Sequence, residues 1–325
     1  MIDYQEFLQT KRHKSQDFGI QSDLGGYGMF DYQQYCAGKA LKKGRYAGFI
    51  DTGLGKTLIE LVIALAHAKH ANKPVLIITP LAVAFQFLKE AEKFGIDDIE
   101  YSKDGHYAKK IIICNYERLD KFNADDFDCV VLDESSILKN FKGSTKTQIT
   151  SFLKRVKYRY LFTATPSPND FVELGTSSEA LGYMGYMDML SKFFTNNEDT
   201  ISPQKIGQKW VLKGHAETAF FDWVSSWSLS MRKPSDLGFS DERHVLPKLT
   251  TNEHKVFNEK NLCVEGQHQL FAMPSTRLTE VREEQKATID QRCGKAVDLA
   301  NSNDVSVYWC NLNKEAEALR EMDKK

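Results

Sequence analysis

Three short stretches of this 325-residue chain carry side chains that could act together on a phosphate. The first is GFIDTGLGKTLIEL, residues 48–61: an apolar run, a glycine-rich turn, Lys-Thr, and then a helix-like pattern. The backbone N–H groups of such a turn, with a helix N-terminus behind them, form an anion cradle. Gly53 and Gly55 permit the tight turn, Lys56 can reach terminal phosphates, and the Thr57 hydroxyl can ligate Mg²⁺. The strict pattern G-x-x-x-x-G-K-[ST] is not met, because its first glycine falls on Ile50; the cradle is Thr52, Gly53, Leu54, Gly55, Lys56 and Thr57. The second stretch, CVVLDESS, puts Asp133 and Glu134 after an apolar run. Asp133 can hold the Mg²⁺ through water, and Glu134 can take a proton from an attacking water. Alone, the two acids read as a loop cap; following the cradle in this order, they read as its catalytic partners. The third, LFTATPSPND at 161–170, places Thr163 and Thr165 beside Pro166, where hydroxyls could sense the phosphate state and couple it to a neighbouring domain.

These residues need a scaffold, and the apolar runs supply one. AGFI (47–50), VLIIT (75–79), IIIC (111–114), CVVL (129–132) and YLFT (160–163) do not alternate with polar residues, as expected of strands buried on both faces of a parallel sheet. Helical patterns separate several of them: Leu58, Leu61, Val62 and Leu65 form one apolar stripe, and GSTKTQITSFLKRVK offers Ser144 or Thr145 as an N-cap. Alternating strand and helix means an α/β domain with a parallel sheet, whose carboxyl edge is where ligands bind. Beyond residue 170 the pattern turns helical, with a polar stretch near TNNEDTISPQ, and RKPSDLGFSDERHVLPKL reads as a boundary. A polar helical pattern follows at about 275–302, VSVYWC (305–310) reads as one more buried strand, and KEAEALREMDKK begins a helix.

The balance of 43 basic and 44 acidic side chains gives no global pull toward nucleic acid, so any such binding rests on local patches. The six cysteines are scattered without a C-x-x-C pair, which favours reduced thiols over disulfides or zinc. The N-terminus has no apolar signal-like core and no 18-residue apolar run exists, so a cytoplasmic location in a bacterial or phage-infected cell is expected, with no membrane partner. His67 and His70 read as a packed or solvated pair, and Phe220, Trp223 and Trp227 as a core stripe.

In their order along the chain, these motifs resemble the superfamily-2 helicases and translocases. DTGLGKT is similar to motif I of the Swi/Snf-like branch, which also lacks the first strict-pattern glycine; DESS resembles motif II, the DEAD/DEAH box, and TATP motif III. FDYQ at 30–33 resembles the adenine-reading element, with Gln33 on the base edge; ITPLAVAFQF (78–87) resembles motif Ia and IIICNYERL (111–119) motif Ib. DESSILKN and SMRKPSDLGF…LPKL are similar to further Swi/Snf-like segments, and the nearest likeness is to helicase-like proteins of phages and prophages. The resemblance implies a RecA-like P-loop lobe, ATP and Mg²⁺ as cofactors, Thr57 and Asp133 as the Mg²⁺ ligands, and catalysis by Lys56, Asp133 and Glu134. It also implies nucleic-acid backbone contacts at Thr79, Pro80 and Asn115, with DNA rather than RNA as the track.

Two departures stand out. Ser136 replaces the histidine of DEAH-type members, so a motif II to motif III link through that histidine is absent or carried by a hydroxyl. No GRxGR-like stretch follows residue 250, so the arginines of a second lobe are expected from elsewhere, a missing lobe or a partner protein. The expected organisation is an N-terminal extension (1–27), a RecA-like lobe (28–250) with a helical addition at about 170–235, and a linker helix with a partial second lobe (251–325). The function expected is an ATP-dependent nucleic-acid translocase or helicase. The rivals are an ATP-binding switch or scaffold lobe, and a P-loop metabolite kinase, to which neither DESS nor TATP belongs.

Overall fold

The structure, a computed structural model, describes residues 17–71, 73–141, 143–196, 210–256, 278–300 and 305–323. The start of the N-terminal extension, most of the polar stretch near 195–204, and Cys263 lie outside them. Contacts divide the chain into two units, Met1–Leu246 and Pro247–Lys325.

In the first unit, helix α1 (Asp31–Lys43) opens on the FDYQ stretch, with an acid in its first turn and lysines in its last, as the helix dipole favours. There follow β1 (Arg45–Ile50), α2 (Lys56–His70), β2 (Val75–Thr79), α3 (Leu81–Lys93), β3 (Ile99–Tyr101), β4 (Ile111–Asn115), β5 (Cys129–Leu132), α4 (Ser144–Lys154) and β6 (Tyr158–Thr163). Seven parallel strands form one sheet in the order β3-β4-β2-β5-β6-β1-β9, the last being Ser228–Met231. Because successive side chains of a strand point to opposite faces, the five central strands each feed two cores. Val75 and Ile77 pack with α1, α2 and α3, whereas Leu76 and Ile78 pack with the helices of the other layer. That layer is α4 with the post-170 helices α5 (Leu174–Leu181), α6 (Tyr186–Phe193) and α7 (Glu217–Trp227). Its centre holds Phe220, Trp223 and Trp227, the expected core stripe.

The structure differs from the sequence reading in four places. The segment after 170 also contains a small antiparallel pair, β7 (Phe194–Asn196) with β8 (Trp210–Leu212), and its end, SLSM, returns to the main sheet as β9 beside β1. Gly143, not Ser144 or Thr145, is the N-cap of α4; both hydroxyl residues lie within the helix. The polar helical pattern of the second unit is two helices, α8 (Leu278–Ala287) and α9 (Ile289–Ala300), and α10 (Asn313–Met322) packs on α9. Finally, VSVYWC is not a buried strand: Val305, Val307 and Trp309 are 84%, 73% and 94% exposed. An apolar extended run is buried only when neighbouring strands flank it, and among the described residues none pairs with this one. Among the described residues no helix is long and apolar enough to cross a membrane.

Candidate active site

Four adjacent strands deliver the expected chemistry to one edge of the sheet. In the order β2, β5, β6, β1, their carboxyl ends present Thr79, Asp133, Thr163 and the glycine-rich turn. The turn is left-handed at both glycines, Gly53 at φ 78° and Gly55 at φ 72°, which side chains with a Cβ rarely adopt. A Cβ at Gly55 would also lie 2.3 Å from Nε2 of Gln33. Helix α2 begins directly after this turn. The Lys56 ammonium donates to the carbonyls of Ile50 (3.0 Å) and Asp51 (3.4 Å), so its charge is held against the turn itself. The Asp51 carboxylate accepts from the Thr52 N–H at 2.7 Å.

Asp133 is buried, and its carboxylate accepts from the Thr79 hydroxyl at 2.8 Å. Burial raises its pKa; the Thr79 hydrogen bond and the Lys56 charge oppose that, while the neighbouring Glu134 adds to it. The Tyr116 hydroxyl donates to the Asp133 carbonyl. Glu134 sits at φ 49°, the one non-glycine residue with positive φ among those described. Such a conformation costs about 1–2 kcal/mol and persists where the surroundings enforce it, often at functional sites. Its carboxylate accepts from the Thr163 hydroxyl at 3.2 Å, and that hydroxyl in turn accepts from the Thr165 N–H at 3.1 Å. Motif II and motif III are therefore joined directly through Glu134 and Thr163, a route that does not need a residue at position 136.

Gln33 is buried at the start of α1. Its Oε1 accepts from the Phe30 N–H (2.9 Å) and its Nε2 donates to the Leu54 carbonyl (3.1 Å). One N–H and one lone pair of the carboxamide remain for another partner. Of the residues expected to contact the nucleic-acid backbone, Thr79, Pro80 and Asn115, two have buried side chains. Thr79 is fully buried on Asp133, and Asn115 is buried, with Oδ1 accepting from Tyr101 and Nδ2 donating to Glu117. Both therefore face the protein interior. Pro80 is half-buried, and the adjoining Leu81 and Phe85 are exposed.

Sequence reasoning missed Glu60 and Tyr116. Glu60 is wholly buried with both carboxylate oxygens lacking a hydrogen-bond partner, and burial, with Asp133 and Glu134 nearby, pushes its pKa well above 4.5 against the pull of Lys56. In an apolar helical pattern a glutamate reads as a solvent-facing position, so no local signal marks it. The donor set around the turn fits a hard divalent cation. Asp133 offers a carboxylate and Thr57 a hydroxyl, and two adjacent acids lie beside a single lysine.

Residues 30–174 match the DEAD/DEAH box helicase family. An aligned stretch of 150 residues is 28% identical to the SWI/SNF-related matrix-associated actin-dependent regulator of chromatin subfamily A-like protein 1 of Xenopus tropicalis, covering 43% of this chain and 16% of that protein. This segment is similar to DEAD/DEAH box helicases and, at lower identity, to Swi/Snf-related proteins. An uncharacterized ATP-dependent helicase of Mycoplasma pneumoniae is 29% identical over 157 residues, 42% of this chain and 15% of the relative. The match thus spans under a fifth of these relatives. Among solved structures, the Sulfolobus solfataricus SWI2/SNF2 ATPase core in complex with dsDNA superimposes with a TM-score of 0.51 at 21% identity, over 70% of this chain and 48% of that one. At that identity the likeness is one of fold: the chain shares the α/β fold of that ATPase core.

Proposed function

We propose that this chain hydrolyses ATP in a superfamily-2 motor core and couples hydrolysis to movement along nucleic acid, DNA rather than RNA. The observation that carries the reading is the pairing at the sheet edge: Asp133 on Thr79 and Glu134 on Thr163, beside the cradle of residues 52–57. The terminal phosphates would lie on the N–H groups of that cradle, with Lys56 swinging from the Ile50 and Asp51 carbonyls onto them. The Thr57 hydroxyl and Asp133 would hold a Mg²⁺ ion, which would supply charge neutralisation at the transferred phosphoryl group. Glu134, oriented by Thr163, takes the proton of the attacking water. Thr163 and Thr165, hydrogen-bonded in series behind Glu134, pass the phosphate state to whatever packs on the motif III loop. Gln33 spends its remaining donor and acceptor on the base edge.

The nucleic-acid track would meet the exposed rim carried by Pro80 and by the turn after Asn115, through phosphates rather than bases, and so with strong salt dependence. Arginines completing the γ-phosphate site come from a second lobe or a partner protein. Substitution separates the roles. Glu134→Gln is expected to bind ATP with near wild-type affinity and lose at least about a hundredfold in turnover. Lys56→Ala is expected to lose binding as well, read by equilibrium titration of ATP beside a phosphate-release assay. Turnover that survives in Glu134→Gln would contradict the assignment. Binding without turnover in the wild-type chain would favour the switch reading.

A further inference from the structure

At the amino edge of the sheet two arginines stand side by side. Arg45 opens β1 and Arg159 lies at the start of β6. They are register partners on these neighbouring parallel strands, so their side chains leave the same face of the sheet. Arg159 is only 4% exposed. Its guanidinium donates to the carbonyls of Val156 (2.9 Å), Ala180 (3.2 Å) and Lys154 (3.0 Å), around the carboxyl ends of α4 and α5, where helix dipoles favour a cation. Arg45 is half-buried. Its Nε donates to the Lys157 carbonyl at 3.1 Å, and its guanidinium lies 5.1 Å from the centroid of the Phe18 ring.

Like charges directly opposite one another on adjacent strands are destabilising, and the helix carbonyls settle one guanidinium rather than two. Among the described residues neither arginine forms an ion pair. The acids of adjoining segments are engaged elsewhere: Asp17 with Lys42 and Lys43, Asp125 with Arg155, and Asp128 with Lys73. Burial, reinforced by the Arg45 charge, lowers the Arg159 pKa to about 10, still high enough for both groups to be charged at neutral pH. A guanidinium has five N–H groups. Arg159 spends three on carbonyls and Arg45 one, so most of the Arg45 donors remain for another partner. The two side chains converge at Gly182, the left-handed cap of α5. A Cβ there would lie 2.6 Å from Arg159 Nη1 and 3.1 Å from Arg45 Nη1, so only a glycine leaves both forks in place.

We propose that Arg45 and Arg159, meeting beside Gly182, form a second anion site that takes a phosphate oxyanion at the amino edge of the sheet. Guanidinium forks match the paired oxygens of a phosphate, and one dianion offsets both charges. Arg159, fixed by three carbonyls, sets the geometry, while the more exposed Arg45 meets the incoming ligand. The site is separate from the glycine-rich turn, which lies at the opposite end of β1, and it does not depend on the ATP reading of that turn. A bound phosphate replaces repulsion across the β1–β6 pair with charge-assisted hydrogen bonds, so occupancy stabilises the sheet. The free ion and a nucleic-acid backbone offer the same chemistry, and the experiment separates them.

The test uses the full chain carrying Lys56→Ala, which silences the glycine-rich turn, at low ionic strength. Inorganic phosphate is titrated by calorimetry and by thermal melts, with sodium chloride of matched ionic strength as the control. Phosphate is expected to raise Tm beyond chloride. Adding Arg45→Gln is expected to weaken phosphate binding about tenfold, the scale of one hydrogen bond to a charged group. Without phosphate that variant is expected to melt no lower than its parent, because it removes the repulsion. Arg159→Lys, which keeps the charge and loses the fork, is expected to weaken phosphate as well. A single-stranded oligonucleotide is the second ligand. If Arg45→Gln weakens it as it weakens phosphate, the site takes a backbone phosphate; if phosphate alone is weakened, it takes the free ion. A rise in Tm no greater than that from chloride, or phosphate affinity that Arg45→Gln leaves unchanged, overturns the site.

Discussion

Glu134 combines a left-handed backbone with a carboxylate held by one threonine hydroxyl, so its aim depends on Thr163. Thr163→Val keeps the shape of the side chain and removes the donor. It is expected to lower kcat about tenfold, the scale of one hydrogen bond to a charged group, with KM for ATP little changed, as steady-state kinetics would show. Glu60 makes a second prediction. The unfolded chain releases this proton near pH 4.5, whereas the folded chain holds it to a much higher pH. Between those values the native state binds more protons, so stability falls as pH rises, by up to about 1.4 kcal/mol per pH unit. Glu60→Gln is expected to remove that fall, raising Tm more at pH 8 than at pH 5 in thermal melts; equal shifts at both pH values would show that Glu60 is already ionised. Lys56, Thr57, Asp133 and Glu134 could be picked out in the sequence because their residue types recur at fixed offsets from strand ends. Glu60 and Tyr116 could not, because each becomes significant only once the sheet brings it against a partner distant in the chain.

At the scale of elements, α2 is tied to the sheet at both ends. Its N-terminus carries the phosphate turn, and near its C-terminus His67 Nε2 lies 2.7 Å from the Tyr160 hydroxyl of β6, the strand that leads into Thr163. Burial lowers the His67 pKa to about 3, with the His70 and Lys157 charges adding to the effect. The unfolded chain takes up a proton there below about pH 6.5, and the folded chain does not until about pH 3. The stabilisation from a neutral His67 is therefore lost as pH falls through that window. Denaturant melts at pH 7 and pH 5 are expected to show a loss in the wild type that is smaller in His67→Gln. The core strands were legible because both faces of a parallel sheet demand uninterrupted apolar runs, and IIIC and CVVL supply them. Strand β9 was not, because SLSM carries two serines and follows a helix without a break. VSVYWC was misread for the opposite reason, since its composition is that of a buried strand and composition does not reveal whether neighbours are present.

For the whole molecule, the first unit carries on one sheet the residues proposed to handle phosphate, while the second keeps a small core of Ile289, Cys293, Val297 and Leu319 and leaves Val305, Val307 and Trp309 exposed. With 43 basic and 44 acidic side chains, no global field draws a polyanion to the chain. Binding to nucleic acid must then come from local contacts that salt weakens. The central claim, an ATPase driven by a nucleic-acid track, is tested most directly by steady-state ATP hydrolysis of the full chain alone and with duplex DNA, single-stranded DNA or RNA. The account predicts turnover stimulated most by DNA, declining as salt rises, and abolished in Glu134→Gln. Hydrolysis indifferent to every polymer, or retained in that variant, would contradict it.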